Sequence, residues 1–161
     1  MLLVDIDGVI SLWGFDMDER PVGAFHQVEG VAHFLSATAI EHLHDLAESF
    51  DLCWCSGWEE KAGEHLPALI GAPAIPHLSF ERNPGRGHAH WKLAAIEDHA
   101  GDRPVAWVDD ALNEACEDWA AQRQAPTLLV RTDPAVGLTA EHAERLRAWA
   151  ADGHAPSPIP E

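Results

Sequence analysis

The stretch LLVDIDGVI, residues 2–10, carries an aliphatic run into two acidic residues and then returns to aliphatic ones. An apolar run of this kind predicts a buried strand, yet the strand ends at Asp5 and Asp7. Burying an unpaired charge is unfavourable, so these carboxylates require a compensating partner. The stretch therefore predicts a polar site at the carboxyl end of a buried strand.

Two further apolar segments end in polar side chains. DLCWC is followed directly by Ser56, and PVAWV runs into Asp109 and Asp110. Because ligands of parallel α/β sheets bind beyond the carboxyl ends of the strands, these side chains are expected to share one crevice.

Strand and helix patterns alternate along the rest of the chain. The predicted strands cover residues 2–5, 51–55, 104–108 and 126–130, and the predicted helices cover residues 36–50, 58–70, 88–100, 112–123 and 139–151. Residues 74–80 could add a short strand. This alternation predicts a single Rossmann-like α/β/α sandwich with a mainly parallel sheet, spanning residues 1–151.

The remaining segments are punctuated by glycine and proline. Residues 11–35, called the flap below, form either a mobile loop or a small hairpin. Ser36 or Thr38 is expected to cap the helix that follows. Pro67 is expected to kink or shorten its helix. The proline-rich tail, residues 152–161, is expected to be disordered.

The amino-acid composition disfavours some classes of binding partner. The 161 residues carry a formal net charge of −17, with 27 acidic residues against 10 Lys plus Arg. This charge disfavours binding to an extended nucleic-acid backbone, which requires a cationic surface. No apolar run approaches membrane-spanning length, and the N-terminus does not resemble a signal peptide. Three cysteines, of which Cys53 and Cys55 are poorly placed to bridge, indicate a reduced, cytoplasmic compartment.

Four carboxylates, of Asp5, Asp7, Asp109 and Asp110, would crowd the predicted crevice. Carboxyl groups ordinarily have a pKa near ~3.9, so such a crowd requires a counter-charge. Mg²⁺ suits a site with few carboxylates, several waters and a substrate phosphate. Alternatively, each acid begins a turn or caps the next helix. Two acidic pairs after two buried strands favour the metal or phosphate site.

The same residues suit phosphoryl transfer. A carboxylate can attack phosphorus, and a second carboxyl group can protonate the leaving oxygen. Ser56 and the backbone N–H groups around Gly57 can hydrogen-bond phosphoryl oxygens. Lys92 can neutralise the remaining charge, and Lys61 is the alternative, although an i,i+3 pair within its acidic helix explains Lys61 more simply.

These residues resemble haloacid dehalogenase-like (HAD) phosphatases. DIDGV (5–9), Ser56, Lys92 on a helix and WVDD (107–110) match four motifs of that family in order, and the resemblance covers most of residues 2–130. It implies a HAD-like fold, Mg²⁺ as cofactor and a phosphate monoester as substrate. It also makes Ser56 and Lys92 the phosphate binders.

The resemblance implies a role for each acid. Asp5 is the expected nucleophile, which forms an aspartyl-phosphate and also contacts the metal. Asp7 is the expected general acid and base, whose backbone carbonyl binds the metal. Asp110 is the expected direct ligand of Mg²⁺. Asp109 is expected to support the metal site without binding the ion directly. The short segments between motifs leave room for the flap but for no large cap domain.

A second resemblance concerns the substrate. CSGW (55–58) and residues 132–150 are similar to small HAD domains found alone or within RNA-repair proteins. This similarity implies a phosphorylated small molecule, nucleotide or RNA end as partner. Trp13 and His26 in the flap either contact this substrate, by stacking on a base, or pack the flap onto the body. Arg82 could contact the substrate from the rim of the crevice.

Two functions of other classes remain open at this point. The chain could be a catalytically weak nucleotide- or phosphate-binding accessory module for RNA repair. It could also transfer the phosphoryl group to an acceptor other than water. The same motif residues serve binding and chemistry, so the motifs do not separate these alternatives. The sequence predicts no oligomeric state.

Overall fold

The computed structural model of the protein describes residues 1–81 and 87–154. Its strands are β1 (Leu2–Val4), β2 (Ser11–Leu12), β3 (Gly23–Val28), β4 (Val31–Ser36), β5 (Leu52–Trp54), β6 (Val105–Asp109) and β7 (Thr127–Arg131). Its α-helices are α1 (Ala37–Leu46), α2 (Glu60–Ile70), α3 (Leu93–Ala100), α4 (Glu114–Gln122) and α5 (Ala140–Trp149). A 3₁₀ turn, His90–Lys92, precedes α3, and a π turn, Ala150–His154, follows α5.

The central sheet contains four parallel strands in the order β5-β1-β6-β7. β1 lies inside this sheet and is buried on both faces, as its continuous apolar sequence predicts. Its alternate residues enter different cores: Leu2 and Val4 join α1, α2 and α5, and Leu3 joins α3 and α4. The predicted three-layer α/β/α sandwich with a parallel sheet is confirmed.

The flap is a second, antiparallel sheet in the order β2-β4-β3. Glu29 and Gly30 join β3 to β4, and both have positive φ, 50° and 82°, as tight hairpin turns require. Phe34 is buried and packs against Phe15 and Phe25, with ring centroids 4.7 and 5.1 Å apart. The hairpin alternative is therefore correct. The described residues contain no larger cap.

The structure differs from the sequence prediction at three places. In place of a strand over 74–80 there is one bridge, between His77 and Trp54, flanked by backbone hydrogen bonds on either side. The helix expected at residue 88 begins with the 3₁₀ turn instead. α2 continues past Pro67 because Leu66 and Ile70, on either side of it, are anchored in the core.

All three cysteines are buried and unbridged, as expected for Cys53 and Cys55 from their spacing. Residues 152–154 of the predicted tail belong to the π turn, and residues 155–161 lie outside the described residues. Across the described part, no helix combines the length and the hydropathy needed to cross a membrane.

Ser36, not Thr38, caps α1: its Oγ accepts a hydrogen bond of 3.1 Å from the Ala39 N–H. Ser36→Ala should lower the free energy of unfolding by about 1 kcal/mol, because a helix-terminal donor loses its partner. Thr38→Ala is the matched control and should stay within about 0.5 kcal/mol of the wild type. Urea unfolding followed by circular dichroism measures both, and equal losses would contradict the cap assignment.

Candidate active site

Asp5 lies just beyond the end of β1, at the carboxyl edge of the parallel sheet. Its backbone N–H donates to the Val108 carbonyl on β6, at 3.0 Å. Its side chain is held from both sides: Oδ1 accepts from the Ile6 N–H at 2.8 Å, and Oδ2 lies 3.2 Å from Lys92 Nζ. The carboxylate is thus buried in a fixed orientation.

Lys92 is the buried cation of the site. It ends the 3₁₀ turn before α3, and its Nζ donates to Asp109 Oδ2 at 2.6 Å as well as facing Asp5. Asp109, fully buried, uses its other oxygen to accept from the Ala111 N–H at 2.9 Å. Both oxygens of Asp109 are therefore engaged within the protein.

Carboxylates outnumber the cation here. Oxygens of Asp5, Asp109 and Asp110 all lie within 4.8 Å of one another. Burial raises the pKa of Asp5 to about 7, although Lys92 opposes this shift. Burial and the adjacent Asp109 likewise raise the pKa of Asp110 to about 6. Burial would lower the pKa of Lys92, but Asp5 and Asp109 outweigh it and raise that pKa above its usual value.

This cluster fits a divalent metal ion. One ammonium cannot compensate three carboxylates, so the site keeps an excess of negative charge, and burial together with the neighbouring carboxylates raises the pKa values of Asp5 and Asp110. Closely spaced carboxylate oxygens are the donors that Mg²⁺ prefers. Asp109 uses both of its oxygens within the protein, and Asp5 contacts the Ile6 N–H and Lys92, so Asp110 has the carboxylate that is least engaged among the described residues of the cluster.

A tight turn after β1 brings Asp110 close. The N–H groups of residues 9, 10 and 11 all donate to the Ile6 carbonyl, and Gly8 adopts a φ of 79°. A Cβ at Gly8 would lie only 2.3 Å from Cγ of Asp110, so the turn and this carboxylate require glycine. Thr132, the residue after β7, holds the turn in place, because its Oγ1 donates to the Gly8 carbonyl at 2.8 Å.

Ser56 and Gly57 follow β5, the strand next to β1. Val4 is paired with Trp54, so Ser56 emerges beside Ile6 at the same sheet edge. Ser56 is buried, and its Oγ accepts from the Trp58 N–H at 3.4 Å, while Gly57 is exposed. The topology therefore brings the ends of three strands together, as the sequence predicted.

Asp7 lies apart from the buried cluster, with its side chain half exposed. Trp58 Nε1 donates to Asp7 Oδ2 at 2.9 Å, and His33 Nδ1 lies 3.6 Å from Asp7 Oδ1. Trp58 belongs to the loop after β5, and His33 belongs to β4 of the flap. Asp7 is thus contacted by two elements that are distant in sequence.

The other cation considered, Lys61, does not approach the cluster. Its Nζ lies 2.5 Å from Glu29 Oε2 at the tip of the flap. The expected i,i+3 pair within α2 is therefore replaced by a link between α2 and the flap. No local spacing rule could have indicated this pair, because its partners lie 32 residues apart.

The residues proposed to contact substrate have different positions. Trp13 is 57% exposed, and His26 lies opposite His33 on the neighbouring strand, hence on the same face of the flap. Two other aromatic residues of the flap, Phe15 and Phe25, pack on Phe34 within the flap itself. Arg82 lies outside the described residues.

A cleft of about 600 Å³ opens beside Asp110. Arg131, Thr132, Val136 and His142 are among its lining residues. A larger cavity, of about 900 Å³, lies between residues 77–81 and α3, and its lining does not include Asp5, Asp109 or Asp110. The cleft at Asp110 adjoins the carboxylate cluster.

Sequence reasoning missed three contacts around this site. The contacts of Trp58 and His33 with Asp7, and of Thr132 with Gly8, join residues 26 to 124 positions apart. CSGW, the aromatic extension of the Ser56 motif, was the one available signal for Trp58. The sequence contained no comparable signal for His33 or Thr132.

Gly8→Ala should weaken Mg²⁺ binding by about tenfold or more, because the added methyl group displaces Asp110. Gly14→Ala is the matched control: Gly14 has the same φ of 79° but open space around its Cβ position. Titration calorimetry with MgCl₂ compares the two variants. Equal affinities would contradict a ligand role for Asp110.

The raised pKa of Asp5 predicts a pH-dependent stability difference. In the folded protein Asp5 ionises near pH 7, far above its ordinary range, so stability falls as the pH rises towards 7. Asp5→Asn removes this loss. In metal-free buffer at pH 8 the variant should therefore unfold at a higher temperature than the wild type, and the difference should shrink towards pH 4. A thermal-unfolding series in chelator checks this, and a lower midpoint at pH 8 would contradict it.

Comparison with known proteins identifies the family. No curated protein matches the chain. Residues 1–143 of the 161 match the family described as "HAD domain in Swiss Army Knife RNA repair proteins". This region includes β1 with Asp5, the flap, Lys92 and all seven strands. The chain therefore belongs to the family of HAD domains in Swiss Army Knife RNA repair proteins.

Proposed function

We propose that the protein is a Mg²⁺-dependent phosphatase that hydrolyses a phosphate monoester, on a nucleotide or an RNA end, through an aspartyl-phosphate at Asp5. The observation that carries this proposal is the buried Asp5 held 3.2 Å from Lys92 within a cluster of excess negative charge. A purely structural ion pair would gain nothing from a further half-buried carboxylate at Asp110.

In the first step, a carboxylate oxygen of Asp5 attacks phosphorus and the bond to the leaving oxygen breaks. Asp7 gives that oxygen its proton. In the second step, water attacks phosphorus, Asp7 takes a proton from it, and the bond to Asp5 breaks, which regenerates the carboxylate. Lys92, Ser56 and the Gly57 N–H hold the phosphoryl oxygens.

The metal would be held by the carboxylates of Asp5 and Asp110 and by the backbone carbonyl of Asp7. Asp109 supports this set by holding Lys92 in place. When bound, Mg²⁺ offsets the negative charge that Asp5 and the phosphoryl group bring together. The excess of carboxylates over cations supports this role.

The access to the site supports a nucleotide or an RNA end as substrate. The flap is small, and the cleft beside Asp110 can receive the leaving group. Trp13 in the flap exposes an aromatic surface on which a base can stack. The net charge of −17 disfavours a long nucleic acid, which fits recognition of an end. The family description, with its link to RNA repair, points the same way.

Asp5→Asn should abolish Mg²⁺-dependent release of phosphate from an aryl phosphate, because an amide cannot form the phosphoryl-enzyme. Chelation of the metal should likewise stop turnover by the wild type. Asp102→Asn, an exposed site away from the cluster, is the matched control and should keep wild-type activity. Wild-type activity in Asp5→Asn would refute the nucleophile.

A substrate panel separates the alternatives. Phosphate release is compared for nucleotides, RNA ends and sugar phosphates, each with and without Mg²⁺. The highest kcat/KM is expected for a nucleotide or an RNA end. Binding without turnover across the panel would indicate an accessory module, and product that depends on an added acceptor would indicate a phosphotransferase.

A further inference from the structure

Asp7 is contacted at both carboxylate oxygens by aromatic rings from different parts of the chain. The indole Nε1 of Trp58 donates to Oδ2 at 2.9 Å, and the imidazole Nδ1 of His33 lies 3.6 Å from Oδ1. Nothing in the four motifs requires either ring. The position of Trp58, two residues after Ser56, places it where the loop after β5 meets the flap.

The indole itself is held in place. The ring of His33 packs edge-on against it, with centroids 4.7 Å apart and an interplanar angle of 64°. The backbone N–H of Trp58 donates to Ser56 Oγ at 3.4 Å. Ser11 Oγ lies 3.1 Å from His33 Nδ1 and ties the imidazole to β2. Trp58 therefore links the phosphate-binding loop to the carboxyl group of Asp7.

We propose that Trp58 is the positioning residue for Asp7: its indole N–H fixes the orientation in which this carboxyl group gives its proton to the leaving oxygen. The inference rests on the proposed phosphatase function. It gives a role to Trp58, to which the four motifs and the CSGW similarity assign none.

The physical reason lies in the direction of the proton transfer. When the bond from phosphorus to the leaving oxygen breaks, the electron pair stays on that oxygen, which takes the proton of Asp7. Proton transfer requires the carboxyl group to lie within hydrogen-bond reach of the leaving oxygen. Asp7 is half exposed, and the bond from Trp58 restricts the orientations that its side chain can adopt.

This role makes the effect of Trp58 depend on the leaving group. An alkoxide, as released from a nucleoside 5′-monophosphate, requires a proton as it departs. A nitrophenolate, as released from 4-nitrophenyl phosphate, is stable without one. A residue that only supports the fold would affect both substrates alike.

The test compares kcat/KM of Trp58→Phe for these two substrates, because kcat/KM reports the transfer to Asp5. The ratio of alkyl to aryl phosphate should fall by about tenfold or more, within the range of general acid catalysis. Trp119→Phe is the matched control, since it removes a similar 2.9 Å indole bond, to Glu97, far from the site. Its ratio should equal that of the wild type.

A double-mutant cycle with Asp7→Asn completes the design. Trp58→Phe should cause little further fall in the ratio when Asp7 is already replaced, because it acts through that residue. An unchanged ratio in Trp58→Phe, or an equal further fall in the double variant, would overturn the inference while leaving the phosphatase intact. If the wild type hydrolyses neither substrate, the proposed function fails and the inference fails with it.

Discussion

One buried ammonium group organises the candidate site. Lys92 contacts both Asp5 and Asp109, so it joins the ends of β1 and β6 to the start of α3. Removing the cation would leave two buried carboxylates without compensation, which is strongly unfavourable. The position of α3 against the sheet and the orientation of Asp5 thus depend on the same pair of contacts.

The site is unbalanced in charge, and this imbalance is what makes it suitable for chemistry. Carboxylates exceed the cation here, and burial together with the neighbouring carboxylates raises the pKa values of Asp5 and Asp110. A metal ion and a phosphate can supply the missing interactions. The flap closes the same region: its tip is tied to α2 through Glu29 and Lys61, and its His33 faces Asp7. Flap position and acid position are therefore coupled.

Much of this arrangement is predictable from local pattern. Apolar runs that end in Asp5, Ser56 and Asp109 indicate parallel strands, and parallel strands bring their carboxyl ends to one edge. Gly8 predicts a tight turn, and Ser36 predicts a helix cap. Two local expectations differ from the structure where neighbours in space override local preference. α2 does not end at Pro67, because its flanking residues are buried, and Lys61 pairs with the flap.

The sequence by itself determined the order of the strands and helices, the acidic strand ends and the residues proposed as reactive groups, since these follow from periodicity and side-chain chemistry. Only the tertiary structure decided that Gly8 must make room for Asp110, that Thr132 fastens that turn, and that Trp58 and His33 enclose Asp7. These contacts join distant residues, and their geometry depends on how the flap packs on the sheet edge. The local sequence pattern does not specify that packing.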